Sequence, residues 1–346
     1  VMKRPVVVAA ASAALLIVFG LPFLNIKFNW VDATTLPASA NAHVVDSAIA
    51  RDFPGRAGSS AIVVVKASQD HAASVKEFAD RVAGVAGVTS VSAPAYQGAG
   101  TWRIDATLSG QGYGSQATSA VRGIRALGAP DPIHVGGLSA AFVDLQLGLR
   151  QSLPLAIALV TLTTLVILFL MTGSAVLPVK AIAMNLLTLS ATFGALVFVF
   201  QYGNFQDVLR YTSSGALEQT QPVLIFALIF GLSTDYGVFL LSRIKEARDG
   251  GLPNSEAVAL GLQRTGRIVT AAALLLCVAI GAFATSNIVF MKELGVGTVV
   301  GVAVDASIVR ALLVPALMGI LGEWNWWAPA PLRRLHGRLG ISESAE

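Results

Sequence analysis

The sequence predicts an α-helical polytopic membrane protein: six transmembrane helices, with an α+β domain of ferredoxin-like (βαββαβ) order inserted after the first. Three observations predict it. The 346 residues are 54% hydrophobic and only 13% charged, whereas a soluble domain carries about 25% charged residues. Six stretches are apolar over about 20 residues, the length that crosses a bilayer at roughly 1.5 Å per residue. One block, residues 29–150, instead mixes strand-like and helix-like patterns.

The first apolar run, Pro5 to Leu24, follows Lys3 and Arg4. A signal peptide has a shorter apolar core, roughly 7–15 residues, and a small-residue cleavage site beyond it. "AAASAA" lies inside the run, so residues 1–28 read as an uncleaved helix. Val1 precedes "MKRP", which fits a non-Met start codon or a piece of a longer chain.

Residues 29–150 form the soluble block. "SSAIVVVKAS" (59–68) is a β-branched buried strand, and 70–87 has helical spacing with Asp70 as its N-cap. "VTSVSAPA" and "TWRIDATLS" read as two strands joined by "YQGAGT". "SQATSAVRGIRALGA" reads as a second helix ending at Gly128, and "IHVGG" as the last strand. From Ser139 the chain runs helically into the second membrane span, a joint suited to coupling motion in the two regions. The remaining spans are 153–172, 177–201, 221–242, 267–289 and 294–321, a five-helix bundle over 151–323. A cytoplasmic interfacial tail, 324–346, combines the tryptophans of "EWNWW" with Arg333, Arg334 and Arg338.

Orientation follows from the basic residues. Lys3 and Arg4, the loop with Arg243, Lys245, Arg248, Arg264 and Arg267, and the tail all fall on one side of a six-helix path. The positive-inside bias makes that side, and both termini, cytoplasmic. Residues 29–150 are then outside.

Several function classes are excluded. The net charge of +4 is spread along the chain and forms no nucleic-acid patch. Cys277 is the only cysteine, so there is no internal disulfide and no two-cysteine metal motif. His43, His71, His134 and His336 all lie outside the apolar runs. No phosphate-binding Gly-x-x-x-x-Gly-Lys-Ser/Thr loop occurs. The reading is therefore of a non-enzyme with no metal and no cofactor.

Ionisable residues inside the spans point to function, because a charge in hydrocarbon costs several kcal/mol unless neutralised. Asp235 lies about 14 residues into the fourth helix, roughly 20 Å from its outer end. Asp305 and Arg310 lie at depths of roughly 16 and 24 Å in the sixth and bracket it. Arg310 is within reach of either carboxylate, and two carboxylates with one guanidinium can share protons. The bland alternative is a static buried ion pair that specifies helix packing. Gly231, four residues before Asp235, suits a close helix approach. Tyr236 points about 100° away from Asp235, toward a facing helix. Lys180 reads as a snorkelling anchor, Asn185 as an interhelical hydrogen-bonder, Ser233 as a packing residue, Thr270 as a carbonyl cap, and Lys292 and Glu293 as solvated.

"GLSTDYGVFLLSRIKEARDGG" resembles the signature of the MmpL family of the RND superfamily. "RTGRIVTAAAL", "KELGVG", "DASIVRALLVPALM" and "WNWW" follow in that family's order. The resemblance covers essentially the whole chain. It implies the C-terminal half of such a transporter: helices seven to twelve with the second periplasmic porter domain. It further implies the bacterial inner membrane and proton-motive-force-driven export of lipids or other hydrophobic molecules. The N-terminal half of the same transporter or a partner half is the implied partner, and a homo-oligomer is also compatible. By the same resemblance Asp235, Tyr236, Asp305 and Arg310 form a proton relay driven by the proton gradient. Full members carry two Asp-Tyr pairs and this chain has one, so a non-transporting lipid-sensing or assembly half-module is the alternative.

Overall fold

In hydrocarbon only the helix itself can pair a segment's backbone groups, so long apolar stretches become helices. The computed structural model describes residues 1–339 except 2, 31, 32, 34, 35, 38, 53–59, 111, 112 and 130. Residues 340–346 of the expected tail lie outside the described residues, as does residue 59 of the expected first strand. Two compact units result: Val1–Phe28 with Ala156–Glu346, and Asn29–Leu155.

The chain enters through α1 (Pro5–Gly20), with Pro5 at its start, where no N–H is needed. A 3-10 turn, Leu21–Asn25, completes this span. β1 (Phe28–Asn29) and α2 (Asn41–Asp52) follow.

The second unit runs β2 (Ser60–Val65), α3 (Ala72–Ala83), β3 (Val88–Val91), β4 (Ala95–Gly98), β5 (Thr101–Leu108), α4 (Ser115–Ala126) and β6 (Ile133–Gly136). Its antiparallel sheet has the order β3-β5-β2-β6, with β4 beside β5. Period-2 alternation turns Trp102, Ile104, Ala106 and Leu108 of β5 inward, where they join Ala61, Val63 and Val65 of β2. Val75, Phe78 and Val82 of α3 and Val121 and Ile124 of α4 close that core. Two local expectations change. Pro94 has no N–H for a ladder, and the strand expected over "VTSVSAPA" ends at Val91 before β4 begins. Asp70 sits in a 3-10 turn, Gln69–His71, so His71 rather than Asp70 occupies the N-cap of α3.

α5 (Leu138–Thr172) carries the chain back to the first unit. α6 (Val176–Leu196) continues as a π-helix, Val197–Gln201. α7 (Gln206–Leu209) and β7 (Leu217–Glu218) lead to α8 (Gln221–Asp249) and α9 (Asn254–Gly281). The sixth span comprises α10 (Val289–Val304), a π-helical segment Asp305–Leu313, α11 (Val314–Leu321) and a 3-10 turn Gly322–Trp326. α12 (Ala330–Leu339) ends the described chain. Six of these helical stretches are long and apolar enough to cross a membrane. Large apolar side chains such as Leu274, Leu275 and Val278 point outward from α9. The protein is a multi-pass membrane protein.

The charged loop expected between the fourth and fifth spans is largely helical: α8 runs to Asp249, and α9 starts at Asn254. Ion pairs Arg243–Glu246 and Lys245–Asp249, at helical spacing, support the first of these ends. Gly261 lets α9 press against Ile244, whose Cγ1 lies 2.4 Å from where a Cβ would stand.

Small residues set the tightest crossings. A Cβ on Gly194 of α6 would stand 1.9 Å from the Phe19 carbonyl oxygen, and one on Gly20 2.2 Å from Ser190 Oγ. Gly297 and Gly301 of α10 admit Ile225 and Ile229 of α8 in the same way. The close approach expected at Gly231 is not made within this chain. Gly231 is exposed, and a Cβ there would meet nothing within 4 Å.

Candidate functional site

The sixth span changes its helical repeat where Asp305 and Arg310 lie. Five residues apart on an α-helix, Asp305 and Arg310 would point about 140° apart, at about 100° per residue. The π-helical repeat, i to i+5, puts them on the same side instead. Pro315, two residues beyond this segment, has no N–H to close an α-helical turn on Ala311. Arg310 Nε therefore donates to Asp305 Oδ2 at 2.6 Å, with both side chains buried.

α8 supplies the other wall. Arg310 Nη2 donates to the Ser233 carbonyl oxygen. Ser233 Oγ lies 2.6 Å from Asp305 Oδ1 and 2.7 Å from Asn185 Oδ1 of α6. Asn185 Nδ2 donates to Thr234 Oγ1 at 3.3 Å, and Thr234 Oγ1 donates to the Phe230 carbonyl at 2.7 Å. The Arg310 guanidinium also lies over the Tyr236 ring, 5.3 Å from its centroid. Arg310 Nη1 is buried with no hydrogen-bond partner among the described residues. A cavity of about 40 Å³ opens against Asn185, Ser233, Asp305 and Arg310 and reaches Lys180 and Thr164.

The helical phase of α8 decides which expected residues meet. Ser233 and Tyr236, three apart, share the face toward Arg310. Asp235 is about 200° around from Ser233. It is exposed, and no hydrogen bond or ion pair involves it among the described residues. The structure thus brings together Asp305, Arg310 and Tyr236 and leaves Asp235, with Gly231, on the open face. Tyr236 meets its facing helix through its ring.

Other expected roles change with burial. Lys180 does not snorkel: it is 8% exposed, and Nζ donates to Asn325 Oδ1 at 3.0 Å. Asn325 is held over it by donating Nδ2 to the carbonyls of Met318 and Gly322. Lys292 and Glu293 are buried rather than solvated, since they stand inside α10 under the loop after α6. Lys292 Nζ donates to the carbonyls of Leu209 and Ala284, and Glu293 Oε2 accepts from the Glu218 N–H at 3.4 Å. Thr270 is exposed, and Thr265 makes the carbonyl bond, to Gly261, at 2.8 Å. In the tail, Trp324 and Trp327 are exposed and stacked, while Trp326 packs under Arg248. Asn185 makes the interhelical hydrogen bonds expected of it, to Ser233 and Thr234 of α8. Ser233, expected only as a packing residue, is the one that sequence reasoning undervalued; its signal was a polar position two residues from the intramembrane Asp235. No group of three His, Cys, Asp or Glu side chains among the described residues is placed to hold a metal ion.

A family model described as the MMPL family matches residues 34–339. The chain belongs to the MMPL family. This MMPL chain is 40% identical over 344 residues to a putative membrane protein, SCO6666, of Streptomyces coelicolor, covering 99% of the chain and 48% of that protein. It is 35% identical over 360 residues to the trehalose monomycolate exporter MmpL3 of Mycobacterium tuberculosis, covering 99% of the chain and 38% of the exporter. It is 32% identical over 348 residues to the mycolic acid-containing lipids exporter MmpL11 of Mycolicibacterium smegmatis, at 97% and 36% coverage. The MMPL chain therefore spans less than half the length of these relatives.

Proposed function

We propose that this chain is one half of an MmpL transporter that uses the proton-motive force to export lipids or other hydrophobic molecules from the bacterial inner membrane. The observation that carries the reading is the Asp305–Arg310 pair, buried between membrane spans and bonded to α8 two residues from Asp235. Buried ionisable groups of this kind serve ion and proton pathways by default. Asp235, Tyr236, Asp305 and Arg310 are the relay. Protonation weakens the attraction of a carboxylate for a guanidinium, so proton entry loosens the contact between α8 and the sixth span.

The substrate class rests on the names of the relatives, one an exporter of trehalose monomycolate and one of mycolic acid-containing lipids. The chain's share of their length supports a second half as partner. The open face with Gly231 and Asp235 is where that half packs. The Asn29–Leu155 unit is read as a ferredoxin-like porter domain, supported by its strand order β3-β5-β2-β6. Arg243, Lys245 and Arg248 at the end of α8, Arg264 and Arg267 of α9, and the basic residues of α12 support cytoplasmic termini.

The test is gradient-driven export from sealed vesicles by the natural full-length protein and its Asp235→Asn and Asp305→Asn forms. Loss of export in both, with equal folded protein in the membrane, is expected. Export at the unmodified rate by either variant overturns that residue's place in the relay.

A further inference from the structure

The hydrogen bonds around Ser233 do not close if every group is in its ordinary state. A hydroxyl carries one hydrogen. Ser233 Oγ nevertheless lies within bonding distance of two acceptors, Asn185 Oδ1 at 2.7 Å and Asp305 Oδ1 at 2.6 Å. The direction of the Asn185 amide is set at its far end. The Thr234 hydroxyl spends its hydrogen on the Phe230 carbonyl at 2.7 Å, so Thr234 Oγ1 accepts from Asn185 Nδ2. Asn185 Oδ1 then faces Ser233 and needs that hydroxyl's hydrogen. The contact between Ser233 and Asp305 has a hydrogen only if Asp305 carries one on Oδ1. Asp305 Oδ2 meanwhile accepts from Arg310 Nε.

The other protonation state has its own complete arrangement. With Asp305 ionised, the Ser233 hydroxyl donates to Asp305 Oδ1. The Asn185 amide turns over, so that Nδ2 donates to Ser233 Oγ and Oδ1 faces Thr234. Thr234 must then give its hydrogen to Asn185 and release the Phe230 carbonyl. Each arrangement satisfies every hydroxyl and amide in the chain, and one proton on Asp305 separates them.

We infer that Ser233 and Asn185 are positioning residues that read the protonation of Asp305. They pass it, as a reversal of hydrogen-bond direction, from the sixth span across α8 to α6. The inference rests on the relay reading above and deepens it. The charged groups lining the shared cavity are Asp305 and Arg310 from the sixth span and Lys180 from α6. α8 contributes Ser233 and Thr234 and α5 contributes Thr164, none of them charged. Asp235 projects from the opposite face of α8 and does not enter the chain.

The test is pH-dependent infrared difference spectroscopy on the full-length protein in proteoliposomes, with asparagine side-chain carbonyls isotope-labelled. The Asp305 carboxyl band is assigned by its loss in Asp305→Asn, and the Asn185 band by its loss in Asn185→Leu or Asn185→Ala. The expected result is that both bands titrate with one midpoint in the unmodified protein. In Ser233→Ala, the Asp305 band still titrates and the Asn185 band does not. An Asn185 band that stays silent while Asp305 titrates overturns the switch and leaves the relay standing. An Asn185 band that still follows Asp305 in Ser233→Ala overturns Ser233 as the link. A carboxyl band of Asp305 that never titrates overturns the switch and that residue's part in the relay together.

Discussion

Asp305 and Arg310 are five residues apart and yet paired at 2.6 Å, because the segment that joins them is π-helical. The pair is 5% exposed or less, and its two other contacts, Ser233 and Tyr236, both come from α8. The sixth span and α8 are thus held by charge-assisted bonds.

A pair of this kind predicts strong non-additivity. Removing one partner of a buried pair leaves an uncompensated charge and costs about 3–5 kcal/mol, while an apolar replacement of both is close to neutral. Arg310→Met is expected to lower the melting temperature in detergent sharply. The double variant Arg310→Met with Asp305→Leu is expected to recover most of the loss. A double variant that melts at the sum of the two single losses contradicts this account.

The glycine crossings predict a contrast between two similar changes. Gly194→Ala forces a Cβ to 1.9 Å from the Phe19 carbonyl oxygen, an overpacking that costs about 1–3 kcal/mol. Gly231→Ala enters open space and gains helix propensity of roughly 0.8–1.0 kcal/mol. Thermal melts of this chain should separate them in opposite directions. On the proposal above, a loss of stability in Gly231→Ala seen only when a second transporter half is present would mark the face that half covers.

Asn325 predicts more damage than the lysine it holds. It is fully buried and serves two carbonyls and Lys180. Asn325→Leu removes a donor from the Gly322 carbonyl and leaves the buried Lys180 Nζ without its acceptor, while the Met318 carbonyl keeps Asn254 Nδ2. Each buried group left unsatisfied costs about 1–3 kcal/mol. Lys180→Met removes a buried amine together with its desolvation cost and keeps its apolar stem, leaving Asn325 Oδ1 alone without its donor, so its cost is expected to be smaller. Denaturation midpoints of the two variants check this order, and equal losses would refute it.

Tyr211 predicts an alkaline transition. Burial, with Glu293 nearby, pushes its phenol from 10.0 up to about 12, and the hydroxyl donates to the Val199 carbonyl at 2.5 Å. The folded form holds the neutral phenol, so this contribution is whole below pH 10. It is lost as pH rises from 10 toward 12, where the unfolded chain ionises first. Ultraviolet difference titration should find a tyrosine of the folded protein ionising near 12 that Tyr211→Phe removes. A titration curve that Tyr211→Phe leaves unchanged near 12 would count against the burial described.

Much of this architecture was legible in the sequence. The six apolar stretches became six spans because hydrophobic length is a property of composition along the chain. From β2 onward the strands and helices of the Asn29–Leu155 unit fell close to their patterns, since period-2 and period-3.6 burial is written residue by residue, whereas α2 (Asn41–Asp52) was not anticipated. Asp235, Tyr236, Asp305 and Arg310 stood out because charge is rare in such stretches. Which of them meet was not legible. Facing depends on helical phase, about 100° per residue, and the π-helical turn of the sixth span shifts that phase where no local pattern announces it. That turn pairs Arg310 with Asp305 and brings Ser233 and Asn185 into the same network, while the phase of α8 turns Asp235 away. Burial of Lys180, Lys292 and Glu293 was likewise settled by distant segments folding over them. The sequence by itself determined where chain crosses the membrane and which charges it carries there. Only the tertiary structure decided their partners, because a partner is a matter of rotation and packing between segments far apart in the chain.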